Sequence, residues 1–182
     1  MNKKVRFITE TAIMLALLVT LQALTKGFGQ LVTGSCVNAI LAVSALVGGL
    51  GSGLTVALIS PILAFLLGIA PQILTVPAIM AGNSVYVLAL CLLCDKTGKS
   101  MIKQGIAWIV AAAAKFAVLY LVVVKIICGV MAPSLLAAGT LKEPMLKALP
   151  ATFSYPQLIT ALIGGAVALV IVPTLRKALH KG

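Results

Sequence analysis

Lys115 is the residue whose position asks most from the rest of the chain. It lies eleven residues after Gln104, inside a run that is otherwise apolar and uncharged. At 1.5 Å per residue, that is about 16 Å into a hydrocarbon layer about 30 Å thick, which is close to its midplane. Burying a lysine there costs about 2.5–3.5 kcal/mol on insertion scales, and such residues usually face a bundle interior or a water-filled cavity. The other reading is a lysine that packs its stem and reaches water with its head. Apart from Glu10, near the start of the first apolar run, no acid lies within such a segment. A deep ion pair is therefore not expected, and Lys115 is left to meet a carbonyl, an amide or an anionic ligand.

The side-chain amides are the second chemical feature. Of eight, Gln22, Gln30, Asn38, Gln72, Asn83 and Gln157 fall toward one end of the apolar segments, and only Asn2 and Gln104 toward the other. Thr33, Ser35, Tyr86, Ser154, Tyr155 and Thr160 join the larger group. Any one of these is explained by polar loop ends and by tyrosine's preference for interfaces. Together they bring donors and acceptors from several segments to one level. Asn83 and Tyr86, three apart, share a helix face.

Other chemistry lacks its residues. The only histidine is His180, so no metal site or Ser/His/Asp set can be assembled within the apolar segments. No GxxxxGK[ST] loop is present, and the glycine cluster at 48–53 lacks the lysine of such a loop. Nucleotide hydrolysis and a catalytic function are not expected, nor is a cofactor. Cys36, Cys91, Cys94 and Cys128 are embedded in apolar sequence and read as packing residues; the Cys91–Cys94 CxxC has no second pair to complete a zinc site.

The elements that must position these groups follow from composition. The chain has 182 residues, 62% hydrophobic and only 9% charged, which excludes a water-soluble globule. Apolar, charge-free stretches give six spans, near 7–25, 35–50, 53–69, 77–94, 104–128 and 151–175. Between Gly27 and Cys94 no residue is charged, so the divisions there rest on Gly48 to Gly53 and on Pro71 and Pro77. The second and third spans are short and glycine- or proline-interrupted, a pattern tolerated where neighbouring protein covers the backbone. The expected fold is an all-α, polytopic membrane protein, a single six-helix domain over residues 1–182.

Lys and Arg in the short connections set the orientation. One face collects Lys3, Lys4, Arg6, Lys96, Lys99, Lys103, Arg176, Lys177 and Lys181, the other Lys26, Lys125, Lys142 and Lys147. The first face is expected in the cytoplasm with both termini. The net charge of +11 is thus a topology signal, dispersed among apolar segments, and no nucleic-acid partner is expected. The basic start followed by an apolar run also fits a signal peptide, but no cleavage site precedes a polar mature start, so the opening helix is expected to remain. The longest connection, 129–150, with Pro133, Gly139, Lys142, Glu143, Pro144 and Lys147, reads as an outer loop able to act as a lid.

Ala12 and Ala16, four apart in the first helix, form a small face that lets another helix approach closely; Ala161 and Gly165 form another. Either pair can serve internal packing or an external partner. With the length, the six spans, the basic N-terminus, Gly48-Gly49-Leu50-Gly51-Ser52-Gly53, the loop at Pro71-Gln72 and the Arg176-Lys177 tail, the chain resembles the S components of energy-coupling factor (ECF) vitamin transporters. The resemblance covers nearly the whole chain. It implies a bacterial plasma-membrane subunit that captures a vitamin-like small molecule from outside and topples to release it inward. It also implies docking on a transmembrane T subunit that carries two ABC-type ATPases, with Ala12 and Ala16 as contact residues. The positions it implies for substrate contact hold Gln30, Asn38, Gln72, Asn83, Tyr86, Lys115, Tyr155 and Gln157. A midplane cation among amides suits a carboxylate or a polarised carbonyl, as in pantothenate or nicotinate, better than a cation such as thiamine. The competing reading is a stand-alone secondary transporter or a small homo-oligomeric channel.

Overall fold

The computed structural model describes residues 2–69, 72–94 and 100–180. Pro71, Lys96, Lys99 and Lys181, which entered the readings of the third connection and of the charge balance, lie outside the described residues, as does the side chain of His180.

Helix α1 spans Lys3–Thr25, and its first turn is capped by Asn2, whose side chain accepts from the Lys4 N–H at 3.1 Å. A short 3₁₀ turn, Lys26–Phe28, leads to α2, Gln30–Val47. Helix α3, Gly49–Leu66, follows with only Gly48 between them, and Gly49 has φ +81°. That left-handed value is open to glycine at little cost, which lets the chain reverse within a residue. The reversal comes at the front of the glycine cluster, and Gly51 to Gly53 are helical, so the third span starts earlier than the expected 53.

A 3₁₀ turn, Ile73–Thr75, precedes α4, Val76–Leu93. Helix α5, Met101–Leu119, is capped by Ser100, which accepts from Lys103 N–H at 3.3 Å, and runs on into a π-helix, Tyr120–Val130. Then come α6, Ala132–Ala137, α7, Glu143–Phe153, and α8, Tyr155–His180. Each expected span overlaps a helix, and six helical stretches are long and apolar enough to cross a membrane. No strand occurs among the described residues.

The expected loop at 129–150 is a correction: most of it is helical. Two of its three prolines start helices, and the third, Pro150, is accommodated inside α7. Pro133 and Pro144 sit in the first turns of α6 and α7, where the missing N–H has no intrahelical partner to lose. Gly139, at φ +68°, ends α6. Helix α7 stays folded because Leu149 and Phe153 are buried, with Leu141, against Leu119, Val123 and Ile127 of the α5 and π-helical stretch.

Two apolar clusters fill the bundle. One gathers Leu18, Leu41, Val56, Val87, Leu90, Ala107, Ala111 and Ala168; the other is the α7-covered group just described, together with Ala78. Along α4, Asn83 falls between Ala78 of one and Val87 of the other, and along α5 Lys115 falls between Ala111 and Leu119. Asn83 and Lys115 thus lie in a polar layer between two hydrophobic ones. Outside, Ile8, Leu24, Leu66, Val130 and Val170 are exposed, a surface suited to hydrocarbon.

Candidate functional site

Helix α2 presents Gln30, Thr33, Gly34, Val37 and Asn38 on one face, spaced i, i+3, i+4, i+7 and i+8. All five line a cavity of about 170 Å³. Gln22 of α1, Ile79 and Asn83 of α4, Lys115 of α5, Thr152 and Phe153 of α7, and Gln157 of α8 complete most of its wall.

Lys115 is its chemical centre. The side chain is 3% exposed, and Nζ donates to Asn38 Oδ1 at 2.5 Å and to Asn83 Oδ1 at 2.7 Å. Nζ also lies 5.6 Å from the centre of the Tyr86 ring, within the range of a cation–π contact. Hydrogen bonds to a charged group contribute about 1.5–3 kcal/mol each, so two amide oxygens offset a burial cost of the size given above. The lysine is fully buried and does not reach past the bundle toward water.

Behind the ammonium the amides are fixed in turn. Asn38 Nδ2 donates to Thr160 Oγ1 at 3.2 Å, and Thr160 Oγ1 donates to the Gln157 carbonyl at 3.1 Å. Gln157 Nε2 donates to the Thr152 carbonyl at 3.2 Å, which ties α8 to α7 across the break at Ser154. Tyr86 is completely buried beneath the cavity and donates to the Ala161 carbonyl at 3.2 Å. Close approach of α8 makes this layer possible: a Cβ on Gly164 would lie 2.6 Å from Asn38 Cβ and from the Ala39 nitrogen.

The structure brings together Gln30, Asn38, Asn83, Lys115 and Gln157 on the cavity wall, with Tyr86 against the lysine. It does not bring Gln72 or Tyr155 there. Gln72 Nε2 donates to Met145 Sδ at 2.6 Å, and Tyr155 is 73% exposed with its ring stacked on Phe116. Both sit at loop ends, where polarity serves the boundary rather than the interior. Sequence reasoning passed over Thr33, Gly34, Gln22, Thr152 and Phe153 as wall residues. The i, i+3, i+4 pattern from Gln30 could have found the first two; the last two were hidden by reading the segment before them as a loop.

A second recess, about 320 Å³, is lined by Leu46, Leu50, Leu90, Cys91, Cys94 and Arg176 among others. Its one charged side chain among the described residues, Arg176, donates to the Leu46 carbonyl at 2.6 Å, so it caps the end of α2. Being larger does not make it the better site, since it lacks convergent polar groups. Cys36, Cys94 and Cys128 are free thiols, and Cys91 Sγ donates to the Ala45 carbonyl at 3.4 Å. Among the described residues no group of three or more His, Cys, Asp or Glu is placed to hold a metal ion.

Ala12 and Ala16 are both exposed on α1. Ala161 is buried, and Gly165 is held so close to Trp108 that an added Cβ would lie 2.1 Å from Cδ1. A family model described as ECF transporter, substrate-specific component, matches residues 6–176. No curated protein and no solved structure gives a significant match.

Proposed function

Since the chain belongs to the family of substrate-specific components of ECF transporters, a multi-pass membrane family of transport subunits and not of enzymes, we propose that it captures a vitamin-like small molecule in the Lys115 cavity for uptake. The observation that carries this is the match over nearly the whole chain together with a buried cation held by Asn38 and Asn83 inside a cavity. Gln30, Asn38, Asn83, Lys115 and Gln157 are the proposed contacts, with Tyr86 supporting the lysine. Gln72 and Tyr155 are left out of the set.

The whole chain acts as one substrate-binding domain, with both termini in the cytoplasm of a bacterial cell, as the Lys and Arg balance supports. Transport is energised by a T subunit and two ABC-type ATPases. The exposed Ala12 and Ala16 supply a face on which such a partner's helices can approach closely.

The test is purification from its own membranes in mild detergent, with native mass spectrometry of associated polypeptides and retained small molecules. A T subunit, ATPases and a bound vitamin-sized molecule are the expected result. A ligand-free homo-oligomer that conducts ions would overturn it in favour of a channel.

A further inference from the structure

Counting which donors and acceptors of the cavity are already used leaves a defined remainder. A lysine ammonium has three N–H donors. Two of those on Lys115 go to Asn38 and Asn83, and no third partner exists among the described residues. The two amides therefore have their oxygens turned to the ammonium, and Asn38 Nδ2 is spent on Thr160. Thr33 Oγ1 donates to the Thr25 carbonyl, and Gln157 Nε2 to Thr152. Neither the Thr33 hydroxyl nor the Gln157 amide makes a hydrogen bond to Lys115 Nζ.

The missing counter-charge is not supplied by the wall: among the described residues no Asp or Glu lines the cavity. Glu10 is paired with Arg6 at 2.7 Å, and Glu143 begins α7 away from the wall. A ligand cation placed here would face Lys115 with no carboxylate to receive it, and like charges at low dielectric repel strongly. An anion meets one spare N–H and an uncompensated charge.

Gln22 provides the other half. Gln22 lines the same cavity, and its Oε1 is sealed from solvent with no hydrogen-bond partner. A buried acceptor left without a donor is destabilising, which a bound donor would relieve. Lys115 on α5 and Gln22 on α1 stand on separate helices, and the wall also carries the apolar Val37, Ile79 and Phe153.

We infer that the molecule bound here is a small carboxylic acid, held as its anion by Lys115, that carries a hydroxyl or N–H donor for Gln22 away from its carboxylate. This rests on the transport reading above and narrows it. An acid without a second donor leaves Gln22 unpaired; a neutral alcohol leaves Lys115 unneutralised.

The test uses the full chain in lipid nanodiscs, incubated with an equimolar mixture and read by native mass spectrometry. The mixture holds four groups, each with several members: acids bearing a hydroxyl or N–H donor, represented by pantothenate; acids without one, by nicotinate; neutral donors, by pantothenol; and cations, by thiamine. Retention of a member of the first group, at least tenfold over every other, is expected. Gln22→Leu should reduce that retention about tenfold without lowering the melting temperature, because the oxygen it removes has no partner in the folded chain; a purely structural glutamine would lower the melting temperature instead. Retention of a neutral or cationic compound, of a donor-free acid equally well, or of nothing, overturns the ligand class. A chain that gives one of those results and still co-purifies with a T subunit and ATPases keeps the transport reading intact.

Discussion

Two pairs of small residues with the same spacing, Ala12 with Ala16 on α1 and Ala161 with Gly165 on α8, have opposite surroundings. The α8 pair is buried against Trp108 and Tyr86, and beside it Gly164 touches α2 so closely that a Cβ would meet Ser35 O at 2.6 Å. The α1 pair faces outward among Ile8, Ile13 and Leu17, all exposed. In lipid, small residues assist association only where a second backbone comes close. On α8 that backbone belongs to the same chain; on α1 none does. Spacing reports the capacity for close approach, and burial tells whether the chain has already used it.

The strongest way to break the comparison is at α8. Gly164→Ala would drive a methyl against backbone atoms of α2, which cannot rotate away as a side chain tip can. Overpacking typically costs about 1–3 kcal/mol and more where the backbone must move, so about 3 kcal/mol or above is expected here. A sharp drop in melting temperature in nanodiscs checks it, and ligand retention should fall with it, because Asn38 is displaced. An unchanged melt would mean that the α2–α8 seam opens freely and that the cavity does not depend on it.

Lys115→Met comes next, and it separates folding from binding. Removing one partner of a buried, charged contact to a ligand costs about 2–5 kcal/mol, roughly thirtyfold or more in Kd. Folding should lose less than binding does, since the desolvation cost of the cation leaves with it while the buried Asn38 and Asn83 oxygens are left without a donor. Titration calorimetry with the small molecule retained by the native chain measures the first, and thermal melting the second. Unaltered affinity would make Lys115 a structural residue.

Ala12→Leu combined with Ala16→Leu tests the α1 side. Both positions are exposed, so the melt should move within about 0.5 kcal/mol, as for ordinary surface changes. Association with a T subunit, measured as the fraction co-purified, should fall about tenfold. Intact association would place the docking face elsewhere, and α1 would then differ from α8 only in being lipid-facing.

The contrast also marks how much the sequence disclosed. The six helices were legible because apolar runs of sufficient length have few other structures in a membrane. Lys115, Asn38 and Asn83 were legible as a group because polar side chains are scarce in such runs, and the structure joins them through 2.5 and 2.7 Å hydrogen bonds. Gln72 and Tyr155 share their polarity but not their depth, and composition cannot separate those two properties near a loop. Helix α7 was missed because Pro133, Gly139 and Pro144 among charged residues read as a loop, while what holds the helix is burial of Leu149 and Phe153 against residues far along the chain. Thr152 and Phe153 could not be assigned to the cavity without it.

The smallest effect expected is at Thr160, and it probes how the α2–α8 contact reaches the ammonium. Thr160→Val keeps the shape and deletes the hydroxyl that accepts from Asn38 Nδ2 and donates to the Gln157 carbonyl. Hydrogen bonds between membrane helices average about 0.6 kcal/mol, so the melt should barely change. Affinity should respond more, by about fivefold, because an unanchored Asn38 amide can turn its N–H₂ toward Lys115 and present a donor where the ammonium needs an acceptor. Thr160→Ser would restore the hydroxyl without the methyl. If serine recovers the affinity, the hydroxyl orients Asn38 and acts on the ligand through it. If serine behaves as valine does, the hydroxyl alone does not suffice, and the methyl, which a Cβ on Gly34 would approach to 2.9 Å, is needed beside it to hold the seam.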